Sequence, residues 1–344
     1  MGGVMAGFDE ISGQEKIVEH FLNAIKRNKI SHAYILNGER GMGKKTMAKA
    51  FAMTVQCEKG GDTPCMSCHS CKQFISGNHP DIRWVTHEKP ASISVEDIRI
   101  QVNNDIMIRP YEYKRKIYII DEAEKMTVAS QNALLKTIEE PPEYAVLLLL
   151  TLNKEMLLQT ILSRCVVMDF RPVKNEVIVD YLRKKQKIVD YRAREAAVFS
   201  EGNIGRAKEM CASDDFFTFK EEVLRMTKNV EKMTAAEIGE SVKNITKQYK
   251  EIIGNYFNLL ELWYRDVLIY KVCHRKEELL FQKEEKNIRE QAFKLGYDRI
   301  GQILENIHKV RFRIKSNVNF ELALEMLFIH IRDSFVFENQ IYGG

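Results

Sequence analysis

The stretch Ala33-Tyr-Ile-Leu-Asn-Gly-Glu-Arg-Gly-Met-Gly-Lys-Lys-Thr46 decides the fold of this chain. Ala33 to Leu36 is an apolar run of the length of a buried strand, and Lys44 to Cys57 has the pattern of a helix. Between them, Gly38 to Gly43-Lys44 has the spacing Gly-x-x-x-x-Gly-Lys in the strand–loop–helix setting that a phosphate loop needs. Glycines let backbone N–H groups wrap a phosphate, the helix N-terminus adds its dipole, and Lys44 can reach the outer phosphates. Gly38, Gly41, Gly43 and Lys44 are therefore candidate nucleotide contacts, with Lys45 and Thr46 beside them. One position departs from the pattern. The residue after the lysine should bring a hydroxyl to Mg²⁺, and here it is Lys45. Thr46 comes one residue late, about 100° further round the helix, and does not substitute directly. A second ammonium helps to hold phosphate while competing with the metal. ATP with Mg²⁺ is thus a weakened candidate cofactor, and hydrolysis by this chain alone is expected to be weak or absent.

On either side of the loop, short apolar runs alternate with amphipathic stretches. Strands are expected at Asp81 to Thr86, Lys116 to Ile120, Val146 to Thr151 and Cys165 to Phe170. Helices are expected from about Val95 to Ile108 and from Ala129 to Glu140, the latter stopped by Pro141-Pro142. Nearly continuous apolar strands alternating with helices predict a parallel sheet covered on both faces. Ligands of such sheets bind at the carboxyl ends of the strands. There the third strand runs into Asp121-Glu122, where Asp121 would hold Mg²⁺ and Glu122 would polarise an attacking water. An acidic helix cap is the plainer reading of the pair taken alone. Thr151 and Asn153, ending the fourth strand, are placed to sense a γ-phosphate.

Cys57, Cys65, Cys68 and Cys71 fall close together, whereas a secreted disulfide framework would space its cysteines more evenly. Four thiolates suffice for a closed tetrahedral zinc site, structural because no position is left for water. His69 is the one rival ligand. None of the seven prolines lies beyond Pro172, which predicts an all-helical second half. Its Phe320, Ala323, Leu324, Leu327, Phe328 and Ile331 are spaced for one helix face, and Tyr256, Phe257, Leu260 and Trp263 read as core.

Lys+Arg of 52 against Asp+Glu of 48 leaves a net charge of +4, too small for a surface devoted to nucleic acid. No apolar run reaches the roughly 18 residues of a membrane span. The start, Met1 to Phe8, lacks the charged and apolar regions of a secretory signal, so a cytoplasmic location is expected.

These features converge on a resemblance. The chain is similar to the clamp-loader subunits of bacterial DNA polymerase III, a branch of the AAA+ family, over essentially its whole length. The resemblance rests on Ile11-Ser-Gly-Gln14, Ser31-His-Ala-Tyr34, the altered phosphate loop, the four-cysteine insert and Gly77-Asn-His-Pro-Asp81. Gln131-Asn-Ala-Leu-Leu-Lys-Thr-Ile-Glu-Glu-Pro-Pro142 and Ile161-Leu-Ser-Arg-Cys165 are its most specific elements.

The resemblance implies three domains: a nucleotide-binding-like α/β domain over 1–172 with the zinc insert at 57–71, a helical lid over 173–212, and a helical collar over 213–344. It implies that Arg164 serves in trans as a finger in a neighbouring subunit's ATP site. Arg206, within Gly202-Asn-Ile-Gly205-Arg206-Ala207, would contact nucleotide from the lid side. Lys45 and the end of the chain at residue 344 favour a non-motor subunit. The expected partners are the gamma/tau motor and delta subunits, the sliding clamp and, through the assembled complex, primer–template DNA. The alternative is a gamma/tau-like motor that itself binds and hydrolyses ATP, a reading that Asp121-Glu122 favours.

Overall fold

In the computed structural model, residues 7–87, 89–212, 214–249, 255–314 and 319–336 are described. The N-terminal residues 1–6 and residue 213, where the collar was expected to begin, lie outside them. The chain forms two compact units, Met1–Lys208 and Glu209–Gly344.

The first unit is built on five parallel strands: β1 (Ala33–Asn37), β2 (Ile82–Val85), β3 (Lys116–Ile120), β4 (Ala145–Thr151) and β5 (Val166–Asp169). Their order across the sheet is β2-β3-β4-β1-β5, so β1 lies between β4 and β5. Strand residues alternate between two apolar layers, as the two-residue period requires. Tyr34, Leu36, Ile117, Ile119, Leu148 and Leu150 pack beneath α1 (Glu15–Lys26) and α2 (Lys44–Gln56), where Phe21, Met47 and Phe51 meet them. Ile35, Tyr118, Ile120, Leu147 and Leu149 face α4 (Val95–Ile98) and α5 (Val128–Glu139), which follow α3 (His69–Ser76) in the chain. Burial on both faces explains why β3 and β4 read as unbroken apolar runs.

The helix expected over 95–108 differs from a plain α-helix. It winds as a π-helix over Arg99–Asn104. Ile98, Val102 and Ile106 are all buried at a spacing of four, the repeat that turns one helix face to the apolar layer. The short α6 (Gln159–Leu162) precedes β5, and after the strand come α7 (Asn175–Gln186), α8 (Asp190–Phe199) and α9 (Ile204–Cys211), the last running past the end of the first unit.

The second unit is helical among the described residues: α10 (Asp215–Asn229), α11 (Ala235–Gln248), α12 (Asn255–Cys273), α13 (Glu285–Lys294), α14 (Tyr297–Ile314) and α15 (Phe320–Val336). Tyr256, Phe257, Leu260 and Trp263 are buried core, as are Leu324, Leu327, Phe328 and Ile331, while Phe320 and Ala323 are half-exposed at the start of α15. The Trp263 indole N–H donates to Gln291 Oε1 at 2.8 Å, and the Gln291 amide donates to the Thr227 carbonyl at 3.0 Å. That chain satisfies the Trp263 indole N–H and the Gln291 side-chain amide within the aromatic core.

Candidate functional site

Parallel pairing brings the ends of β1, β3 and β4 to one edge of the sheet, where Gly38, Asp121 and Asn153 follow their strands. Gly43 caps α2 with φ of 96°, a left-handed conformation that glycine adopts without strain. Lys44 is only 8% exposed. Its ammonium donates to the carbonyls of Gly38 and Glu39, the second at 2.9 Å, and so closes the neck of the loop. Burial holds its pKa below the ordinary lysine value, while Glu124, Asp121 and Glu39 oppose that shift.

Lys45 points elsewhere. Its Nζ lies 2.5 Å from Asp121 Oδ2, an ion pair between the residue that replaces the metal-binding hydroxyl and the carboxylate expected to hold the metal. Thr46 is partly buried on the next face of α2. Glu122 stands at φ of 52° after β3, and its carboxylate accepts from Lys125 Nζ at 2.6 Å. That hydrogen bond keeps Glu122 below the usual carboxylate range. Thr151 is buried, and its hydroxyl donates to the Asn153 carbonyl at 3.1 Å. The Asn153 side chain accepts from Glu155 N at 2.9 Å, capping a short 3₁₀ turn. These residues meet at one edge, and Asp121, Glu122, Thr151 and Asn153 each have a partner within the chain.

Residues 203–206 close over the loop, in part by backbone contact. Gly205 N–H donates to the Gly41 carbonyl at 2.9 Å, and the Asn203 amide donates to the Arg40 carbonyl at 2.7 Å. Arg206 bridges Glu201 at 2.9 Å and Glu39 of the loop at 3.1 Å. Asn203, Gly205 and Glu39 were not singled out from the sequence as contacts of the loop. The glycine pair Gly202 and Gly205 was the available signal, because close backbone approach requires such residues.

Arg164 lies at the other end of the sheet. Tyr34 pairs with Val166, so Arg164 is level with His32, before the strands begin. From there to Gly38 the strand rises about 20 Å at ~3.3 Å per residue. The Arg164 guanidinium is 40% exposed and contacts Glu139 at 3.0 Å. It also donates to the Thr160 carbonyl at 3.0 Å and to Ser163 Oγ at 3.2 Å.

The four cysteines converge after α2. One sulfur from each of Cys57, Cys65, Cys68 and Cys71 lies within 4.8 Å of the others. A tetrahedral ion with Zn–S bonds of about 2.3 Å needs sulfurs roughly 3.8 Å apart, close to this arrangement. Backbone N–H groups of Cys65, Cys68 and Cys71 donate to the sulfurs of Cys57, Cys65 and Cys68 at 3.3, 3.3 and 3.4 Å, the interactions that steady thiolates. Donors from Ser67 and Cys68 pull the Cys65 thiol down to about 5, and burial pushes Cys71 upward. The cluster is compatible with a structural zinc ion. His69 instead contacts Gln73 at 2.9 Å and Glu112 at 3.8 Å, outside the four-sulfur group.

Gly77-Asn-His-Pro-Asp81 fastens this insert to the sheet. His79 Nε2 pairs with Ser70 Oγ at 3.1 Å, and the His79 ring packs at a tilt of 33° on Tyr113 with ring centres 4.6 Å apart. Asp81, 1% exposed, accepts the N–H groups of Tyr111, Glu112 and Tyr113 at 2.6, 2.9 and 2.9 Å. The motif is therefore a bracket rather than a ligand set.

A phosphate loop after an internal strand of a β2-β3-β4-β1-β5 parallel sheet, with helices on both faces, defines a P-loop domain of the AAA+ kind carrying a four-cysteine insert. Residues 13–174 match the family described as DNA polymerase III, delta subunit. It is 29% identical over 323 residues to subunit delta-prime of Bacillus subtilis, covering 93% of this chain and 96% of that protein. It is 26% identical over 344 residues to subunit tau of the same organism, covering 92% of this chain and 60% of tau. Among solved structures, a DNA polymerase III gamma subunit-related protein from Thermotoga maritima aligns over 92% of this chain and 99% of its own, with 19% identity and a TM-score of 0.48.

Proposed function

We propose that this chain is a delta-prime-type subunit of the DNA polymerase III clamp loader, a stator that helps to place the sliding clamp on primed DNA during replication. The observation that carries the stator reading is the Lys45–Asp121 ion pair, which turns a motor's metal-binding corner into an internal salt bridge. Similarity to delta-prime along almost the full length of both chains supports membership of the loader.

In this reading Arg164 reaches a neighbouring gamma/tau motor and stabilises charge developing on the phosphoryl group under transfer. Its position at the opposite end of the sheet from the chain's own phosphate loop, and its partial exposure, support an action in trans. Nucleotidyl transfer belongs to another subunit of the polymerase. Residues 173–212 serve as the lid and 213–344 as the collar that joins the ring with the motor and delta subunits. Contact with the clamp and primer–template DNA is made within the assembled complex. Cys57, Cys65, Cys68 and Cys71 hold one structural zinc, which fixes the insert and takes no part in chemistry. A cytoplasmic location follows from this role, and no helix among the described residues is long and apolar enough to cross a membrane.

A self-sufficient motor would need Asp121 free for metal and Glu122 free for water. The pairing of both with lysines weighs against it. The test is ATPase of the reconstituted loader, stimulated by clamp and primed DNA, with Arg164→Ala in this subunit. A finger is worth a factor of about 10³–10⁵ at its own site, so turnover at the adjoining motor site should be lost. A variant complex that assembles and retains the full stimulated rate would overturn the assignment.

A further inference from the structure

The residues around the phosphate loop do not fit the divalent cation that usually accompanies a bound nucleotide. Mg²⁺ takes oxygen ligands at about 2.0–2.1 Å in near-octahedral geometry. Here the position that should offer a hydroxyl offers an ammonium, and that ammonium lies 2.5 Å from the carboxylate on the facing strand end. A cation entering the corner would meet the positive charge of Lys45 and would have to displace it from Asp121.

We propose that this loop binds the phosphates of a nucleotide without a divalent cation, Lys45 acting as a built-in counter-ion held in place by Asp121. Lys44 and Lys45 are successive residues, so their side chains leave α2 about 100° apart and serve different places. The buried Lys44 ammonium closes the neck of the loop. The Lys45 side chain is 63% exposed and anchored at one point. An ammonium has three donors, so an ion pair with Asp121 leaves others to meet a phosphate oxygen. The first turn of α2 contains no acidic residue to oppose an anion at its N-terminus. Lys44 and Lys45 supply the ammonium groups of this corner, facing the carboxylates of Asp121, Glu39 and Glu124. Asp121 thereby becomes a positioning residue for Lys45 in place of a metal ligand.

This inference goes beyond the stator reading and does not depend on Arg164, since it concerns the full chain outside the complex. The experiment is calorimetric titration of the purified chain with ATP, once in EDTA and once with excess Mg²⁺. ATP is expected to bind in EDTA, and Mg²⁺, by neutralising part of the triphosphate charge, is expected to weaken binding roughly tenfold, equivalent to about 1.4 kcal/mol. Lys45→Thr restores the hydroxyl and frees Asp121, so Mg²⁺ should then strengthen binding. Lys45→Ala should lose about tenfold of the metal-free affinity. Lys45 is exposed, and unchanged melting curves would show that these variants fold. Absence of binding in EDTA, with or without recovery in Mg²⁺, overturns the proposal. So does a Lys45→Thr protein that responds to Mg²⁺ as the parent does.

Discussion

Replacing Gly205 with alanine adds one methyl group where the start of α9 rests on the phosphate loop. A Cβ at residue 205 would lie 2.5 Å from Gly41 Cα and 2.6 Å from Gly41 O. Carbon atoms are comfortable at about 3.5–4.0 Å, so the two segments must part by roughly 1 Å. Both groups are backbone, and no side chain can swing aside. Overpacking of this kind costs about 1–3 kcal/mol. The 2.9 Å Gly205–Gly41 hydrogen bond stretches as well, and such a bond contributes about 0.5–1.5 kcal/mol. Against this, alanine is the better helix former by about 1 kcal/mol. The balance is a loss of roughly 1–3 kcal/mol, because the clash and the lost bond outweigh the helix gain. For a unit of this size that lowers Tm by about 2–10 °C. Scanning calorimetry should compare the parent with Gly205→Ala and Gly301→Ala. Gly301 lies in α14, and a Cβ there meets nothing within 4 Å. The same chemical change at residue 301 should be neutral or stabilising by up to about 1 kcal/mol. A Gly205→Ala protein melting at or above the parent temperature would refute close packing of α9 on the loop.

Metal analysis of the purified chain should give one zinc per molecule, and Cys68→Ser should release it; a well-folded protein free of metal would disprove the site. Asp81→Ala removes the buried acceptor of three backbone N–H groups and should cost about 2–4 kcal/mol in urea unfolding. A loss well under 1 kcal/mol would mean that the bracket does not hold the insert. The Asp169 carboxylate is kept below its ordinary range, chiefly by hydrogen bonds from Lys154 and then from Asn37. Its depressed folded pKa means that the stabilisation is complete above the unfolded value of about 3.9 and fades as pH falls through the folded value. The Tm difference between the parent and Asp169→Asn should therefore be constant near neutrality and shrink in acid; a difference independent of pH would argue against it.

The strand–loop–helix unit from Ala33 to Cys57, the parallel sheet and the four-cysteine group were all legible in the sequence, for local reasons. Apolar runs, glycine spacing and thiol spacing are properties of neighbouring residues, and β1, α2 and the sulfur cluster appear where those signals stand. The helix over 95–108 was legible as a helix but not as a π-winding, because the four-residue spacing of Ile98, Val102 and Ile106 fits an ordinary α-helix equally well. The bracket role of Gly77-Asn-His-Pro-Asp81 was likewise hidden, since its partners Ser70 and Tyr113 come from other segments.

By itself, then, the sequence determined that the chain has a phosphate loop with a lysine in the metal position, a covered parallel sheet, a clustered set of thiols and a helical second half. Only the tertiary structure decided what Lys45 does. A side chain's charge is written in the sequence, but its partner depends on which strand end folding brings within reach. The β1–β4–β3 pairing carries Asp121 to the first turn of α2, and the ammonium meets it at 2.5 Å. The same holds for Gly205 on Gly41 and Arg206 on Glu39, residues more than 160 positions apart that only the folded chain brings together.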